Sequence, residues 1–133
     1  MYRYLLMFIG LQLYFNGFGQ TDYPEIYKEL NLPIYSNAVL QETSRKTDNL
    51  NDGIKLFLES NDDYTSLRNF YESKMESNGW ELRESIAVKK MRELGKLGEI
   101  PFSGEWIKDD LRFQLFSTRS KNKTKITITL LRL

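Results

Sequence analysis

Apolar and polar residues alternate along three segments of the chain, and this period of two predicts β-strands. The alternation is clearest in Ile54 to Leu58, Leu111 to Thr118 and Lys125 to Arg132. Further extended segments are predicted at Ile34 to Arg45, after Trp80 and around Trp106. A turn rich in Asp and Asn, Lys46 to Gly53, predicts an antiparallel hairpin between the first two strands.

One segment has the period of an amphipathic helix instead. Between Asp63 and Asn78 the apolar residues recur at three- and four-residue spacing: Tyr64, Leu67, Phe70, Tyr71 and Met75. Asp63 is a good N-cap, and Asn78 with Gly79 favours a left-handed C-cap. The sequence therefore predicts the main helix over about 63–78. A shorter helix is predicted from Pro24 to Leu30.

The order β-β-α-β-β-β predicts an α+β fold, a two-layer sandwich in which the main helix covers one face of an antiparallel sheet of about five strands. The predicted buried face comprises Ile54, Leu56, Leu58, Leu111, Phe113, Leu115, Ile126, Ile128 and Leu130. The opposite face comprises Lys55, Phe57, Arg112, Gln114, Phe116, Thr127 and Thr129. A polar face that carries two phenylalanines indicates either a partner site or a surface covered by another segment of the chain.

The segment Ser85 to Gly104 leaves three structures open: an extended strand, a basic helix of one or two turns, or a long loop punctuated by glycines. Its cluster of positive charges consists of Lys89, Lys90, Arg92 and Lys96, and Phe102 and Trp106 follow it. One interpretation is a lid or contact loop for an anionic or amphiphilic ligand. The other is a solvated surface whose charge is offset by Glu93 and Glu99.

Residues 1–19 have the pattern of an export signal. Arg3 is the only charge, Leu5 to Phe15 is apolar, and Gly17 and Gly19 supply the small residues that precede a cleavage site before Gln20. We therefore predict a signal peptide over 1–19, a single α+β domain over 20–133, and a secreted or periplasmic product without a stable membrane span. An uncleaved anchor and a buried helix of the fold are the alternatives for this segment.

Composition excludes several classes of chemistry. The chain has no cysteine and no histidine, so catalytic triads, cysteine–histidine dyads and ordinary zinc sites are excluded, and we expect no cofactor. The 19 basic and 18 acidic residues become 18 and 18 once Arg3 is removed. A neutral domain has no general field for nucleic acid, which we therefore do not expect as a partner.

Three short motifs mark the middle of the chain: P-x-Y-x-x-A from Pro33 to Ala38, F-Y-x-x-x-M from Phe70 to Met75, and Gly79-Trp80. Together they resemble a pattern found in small exported bacterial α+β modules of unassigned function. Ser36 stands where that pattern has a second proline, and the segment 85–104 is longer than in the pattern. The resemblance implies the fold and export, and it implies no activity.

These observations favour an exported, non-enzymatic interaction or ligand-binding module whose partner is a protein, a peptide or a small amphiphile. The predicted contact residues are Phe57, Lys89, Lys90, Arg92, Phe102, Trp106 and Phe116. A competing hypothesis is a glycan-acting enzyme that uses carboxylates, for which the pairs Asp62-Asp63 and Asp109-Asp110 are the candidates. It requires two converging carboxyl groups, one with a raised pKa. A third hypothesis is a structural component of an envelope assembly.

Overall fold

The computed structural model describes residues 23–133, and the predicted signal peptide lies outside this range. Three helices are present in it: α1 (Glu25–Glu29), α2 (Tyr64–Ser77) and α3 (Ile86–Glu93). A 3₁₀ turn follows at Leu97–Glu99. The strands are β1 (Ala38–Leu40), β2 (Ile54–Ser60), β3 (Glu81–Arg83), β4 (Ser103–Lys108), β5 (Leu111–Ser120) and β6 (Lys123–Arg132).

All six strands join one antiparallel sheet in the order β1-β2-β6-β5-β4-β3. The two central strands have ten residues each, and the strands become shorter outward until β1 and β3, at the edges, have three each. The predicted α+β class is confirmed, with six strands in place of about five. The predicted extended segment Ile34 to Arg45 contributes only the three residues of β1.

The period of two identified the buried face correctly. All nine positions predicted for it are at most 8% exposed. Because side chains alternate along a strand, the residues between them project from the other side of the sheet, which we call the open face. Trp106 and Phe113 are directly opposite each other in β4 and β5, so they lie on the same, buried side.

Helix α2 covers that buried side. Its N-cap is Asp63, whose side chain accepts a hydrogen bond of 2.9 Å from the Ser66 amide. Leu67, Tyr71 and Met75 are completely buried, as the apolar spacing predicts. The helix ends one residue before Asn78, so the predicted limits of 63–78 differ from the observed ones by one residue at each end.

The segment from Ser85 to Gly104 is mainly helical. Ser85 caps α3 by accepting a hydrogen bond from the Val88 amide, and the chain then passes along α2, where Arg68 donates a 2.7 Å hydrogen bond to the Leu97 carbonyl. The segment therefore lies against α2 and does not cover the open face. Within residues 23–133, no helix has both the length and the apolar character needed to cross a membrane.

Candidate functional site

A row of three side chains crosses the centre of the open face. Phe57 of β2 is directly opposite Thr127 of β6, and Thr127 is directly opposite Phe116 of β5. Adjacent strands are about 4.8 Å apart, so the two phenylalanines stand about 10 Å apart with the short threonine between them. The Phe116 side chain is 57% exposed. We call these three residues the aromatic row.

Two depressions meet at the aromatic row, and we call them together the groove. One has a volume of about 350 Å³ and contains Phe57, Phe116, Thr127 and Lys125 in its lining. The other has a volume of about 360 Å³ and extends from Phe116 and Thr127 towards β3. Each volume falls at the lower end of the range of about 300–1,000 Å³ that is typical of small-molecule sites.

The second depression combines polar and apolar surfaces. Gln114 and Thr129 form part of its floor, while Val88 contributes an apolar wall. Val88 belongs to α3, so the first turn of that helix borders the groove although the helix does not cover it. The arrangement can accommodate a small ligand that has both an apolar and a polar part.

Of the contact residues predicted from the sequence, the fold brings Phe57 and Phe116 together in the groove. Lys89 and Lys90 are exposed on α3 and do not belong to the lining of either depression. Arg92 pairs with Glu72 of α2 and with Glu84, each at an N–O distance of 2.5 Å. These hydrogen bonds raise the pKa of Arg92 above its ordinary value. Its side chain therefore fixes α3 to the body of the fold.

Phe102 and Trp106 do not lie on the open face, and their assignment as contact residues is corrected by the structure. Phe102 is 0% exposed and Trp106 is 1% exposed. The Arg68 guanidinium lies over the Phe102 ring, 5.3 Å from the centre of that ring. The rings of Phe102 and Trp106 pack edge to face with their centroids 6.5 Å apart. Trp106 belongs to β4 and Phe102 directly precedes that strand four residues earlier, so alternation directs both side chains towards α2.

Three polar residues of the groove were not singled out from the sequence. Gln114, Thr127 and Thr129 were predicted on the correct face, but the pattern of one strand does not show which residues of its neighbours lie beside it. The register across β2, β6 and β5 places them next to the two phenylalanines. A cross-strand register is a long-range property, and the sequence contained no direct signal for it.

The two acidic pairs of the glycan-acting hypothesis have structural partners. Hydrogen bonds from Ser66 lower the pKa of the Asp63 carboxyl group, the opposite of the shift that a general acid requires. Asp62 accepts hydrogen bonds from the side chains of Tyr35 and Asn37. Asp110 pairs with Arg132 at 2.5 Å. The part of the chain that the structure describes contains no group of three or more acidic side chains arranged to hold a metal ion.

Comparison with known proteins gives one match. Residues 40–130 match the model of a family described as START domain-like. This range begins in β1 and ends in β6, so it contains α2, α3 and the complete groove. No curated protein and no solved structure is significantly similar to the chain.

Proposed function

The chain belongs to the START domain-like family, and from this premise we propose that it is a non-enzymatic module that binds a small amphiphile in the groove of its open face. START-like domains generally bind small hydrophobic ligands and are not generally catalysts. The family therefore supports a binding module, and the location of the site is inferred from this chain's own surface.

The observation that carries the proposal is the exposure of Phe116 at the junction of the two depressions. A large apolar side chain that remains 57% exposed in a concave surface gains stability when a ligand covers it. Covering the ring removes on the order of 100 Å² of apolar surface from water, which is worth about 2 kcal/mol. Phe57 adds a second apolar contact across Thr127.

A ligand between α2 and the sheet is the alternative location. Two buried polar atoms there, the Tyr71 hydroxyl and the Trp80 indole nitrogen, have no hydrogen-bond partner within residues 23–133. This space is occupied by the side chains of Tyr71, Phe102 and Phe113, all 0% exposed, so a ligand would have to displace them. The open face needs no such rearrangement.

Binding of N-phenyl-1-naphthylamine, a neutral and largely apolar fluorescent probe, tests the groove. We expect Phe116→Ala to weaken its affinity about tenfold, since most of the contact with one phenyl ring is lost. Ile86→Ala is the matched control, because Ile86 is 87% exposed but lies on α3 outside the lining of the groove. The double variant Lys89→Gln/Lys90→Gln should also bind the probe as the natural chain does. Equal affinities for all these variants would contradict the groove assignment.

The two tryptophans identify which side of the sheet a ligand occupies. Trp80 and Trp106 are 4% and 1% exposed and belong to the core beneath α2. In a ¹⁵N–¹H spectrum, saturating probe should shift the backbone amides of Phe116 and Thr127 and leave both indole N–H signals in place. Large shifts of the indole signals would place the ligand between α2 and the sheet instead.

We also propose that the module acts outside the cytoplasm, as a secreted or periplasmic protein. The support is the sequence of residues 1–19, with one charge, an apolar stretch and small residues before Gln20. Expression of the complete chain in a bacterial host should give an exported product whose measured mass corresponds to a start at Gln20. A cytoplasmic product that retains residues 1–19 would contradict this location.

A further inference from the structure

Two positive side chains lie directly opposite each other at one border of the open face. Arg45 and Lys55 form an antiparallel bridge in which their backbones exchange N–O hydrogen bonds of 2.6 and 3.1 Å. Residues that are directly opposite in such a bridge project from the same face, with Cβ atoms about 5 Å apart. Lys55 and Phe57 are two residues apart in β2 and project from the same side, so this face is the open face. Like charges in this position repel each other.

Among residues 23–133, neither Arg45 nor Lys55 forms an ion pair. The Lys55 ammonium group lies over the Phe57 ring, 5.8 Å from its centre. The pair thus presents two positive charges beside the aromatic row.

Elsewhere on the open face, positive charges lie beside negative ones. Arg112 pairs with Glu105 at 2.9 Å. Lys125 is directly opposite Glu59, which also pairs with Lys123 at 3.6 Å. Among residues 23–133, Arg45 and Lys55 therefore differ from these basic residues in having no acidic residue directly opposite or paired with them.

The row that begins with Arg45 and Lys55 continues into the groove. Lys55 is directly opposite Thr129, and Thr129 is directly opposite Gln114. Both Thr129 and Gln114 line the groove. Their side chains form no hydrogen bond to other residues of the described range, so the hydroxyl and amide groups are available as donors. We call Arg45, Lys55, Thr129 and Gln114 the donor row.

The donor row runs beside the aromatic row, two residues away along each strand. Two residues of a strand span about 7 Å, so positively charged and hydrogen-bonding groups lie about 7 Å from a strip of apolar surface. A ligand that matches both rows has an anionic oxygen group at one end and an apolar part that extends to about 7 Å from it. A neutral ligand leaves the two cations unneutralised.

We propose that the groove binds anionic amphiphiles, with the oxygen head group at Arg45 and Lys55, further hydrogen bonds from Thr129 and Gln114, and the apolar part across Phe57 and Phe116. This inference rests on the proposed function, because it names the ligand class of the same groove. A bound anion neutralises the charges of Arg45 and Lys55 and thereby removes their mutual repulsion. It thereby stabilises the folded chain.

A matched pair of probes tests the head-group assignment. The compounds 1-anilinonaphthalene-8-sulfonate and N-phenyl-1-naphthylamine share one skeleton, and only the first carries a sulfonate. We expect the anionic probe to bind the natural chain about tenfold more tightly, with a preference that decreases as the salt concentration rises. Lys55→Gln and Arg45→Gln should each weaken the anionic probe about three- to tenfold and leave the neutral probe unchanged. Lys55→Arg should retain most of the preference.

Lys123→Gln is the matched control, since it removes a lysine of the same face that pairs with Glu59 and lies outside the lining of the groove. It should leave the affinity for the anionic probe within about twofold of the natural value. If Lys123→Gln weakens the anionic probe as much as Lys55→Gln does, or if the natural chain binds both probes equally, the head-group assignment is overturned. These results differ from the result that would overturn the groove as the binding site. In that case the neutral probe would bind Phe116→Ala as tightly as it binds the natural chain.

Competition with unlabelled amphiphiles distinguishes the sources of the anionic group. Decanoate and decyl phosphate should each displace the anionic probe, and decanol should require at least about tenfold higher concentration. If only decanoate or only decyl phosphate displaces the probe, the result supports the proposal and identifies the preferred head group as a carboxylate or a phosphate, respectively. Displacement by decanol at the concentration of decanoate overturns it.

Discussion

Gly104 lies in β4 beneath the ring of Trp106, and replacing it with alanine should destabilise the fold. A methyl group at Gly104 would meet the Cη2 atom of Trp106 and come within 2.5 Å of Cζ3 and 3.1 Å of Cζ2. The indole has little space to move away, because Phe113 and Phe102 pack against it at centroid distances of 5.8 and 6.5 Å. The added methyl group is therefore forced into an occupied space.

Two opposing effects set the magnitude. Alanine restricts the unfolded chain more than glycine does, which favours the folded state by about 0.4–1 kcal/mol where the backbone conformation suits it. Insertion of a methyl group into a packed core costs about 1–3 kcal/mol. The steric term is larger, so Gly104→Ala should lower the free energy of unfolding by about 1–2 kcal/mol. Reasoning from strand propensity alone predicts the opposite sign.

Urea unfolding followed by far-ultraviolet circular dichroism measures this effect without relying on tryptophan fluorescence. A loss of 1–2 kcal/mol should lower the urea midpoint by about 0.5–1 M. Trp106→Phe removes the part of the indole that contacts Gly104, so the double variant should be more stable than the sum of the single effects predicts, by at least about 1 kcal/mol. An unchanged or raised midpoint for Gly104→Ala, or strictly additive effects, would refute the argument.

Two further predictions concern pH and the position of α3. Burial raises the pKa of Tyr23, Tyr27 and Tyr71 above the ordinary tyrosine value. The folded chain therefore holds these protons more tightly than the unfolded chain does, so the free energy of unfolding should be flat between about pH 6 and 8 and should fall above about pH 10. For each such tyrosine, the free energy of unfolding should fall by about 1.4 kcal/mol per pH unit. Ionisation of these tyrosines, followed by absorbance at 295 nm, should coincide with unfolding. Their ionisation near pH 10 in a folded chain would contradict this prediction. Arg92→Gln removes the two ion pairs that fix α3, so hydrogen exchange of the backbone amides of residues 85–97 should become faster. Binding of the neutral probe should stay unchanged. Unaltered exchange would show that other contacts hold the helix.

The sequence predicted the parts of the fold that depend on local periodicity. Alternation along each strand identified the buried face, and the spacing of Leu67, Tyr71 and Met75 identified the inner side of α2. Both patterns depend on residues a few positions apart. They therefore remain visible without knowledge of the partner surface.

The segment Ser85 to Gly104 depends on distant contacts, and its structure could not be predicted in the same way. Arg92 of α3 pairs with Glu72, which belongs to a different helix. Phe102 is buried because Arg68 and Tyr71 of α2 lie above it. Neither relationship leaves a periodic pattern, so a loop, a strand and a helix fitted the sequence equally well.

The groove was predicted only in part for a related reason. Alternation placed Phe57 and Phe116 on one face, but only the register through Thr127 makes them neighbours. The predicted hairpin with the turn Lys46 to Gly53 brings Arg45 near the start of β2, but Arg45 lies in an irregular segment outside β1, so no alternation shows that it is opposite Lys55. Sequence reasoning thus found the apolar part of the site and missed its charged border.

The shortening of the strands towards both edges of the sheet restricts how this protein can recognise a peptide. A peptide that joins a sheet as an additional strand needs a long row of unpaired backbone groups, and edge strands of three residues offer few of them. Recognition at the edges would read the backbone and accept many sequences. Recognition at the open face reads side chains, so single substitutions there can change which ligand is selected while the backbone of the fold is retained.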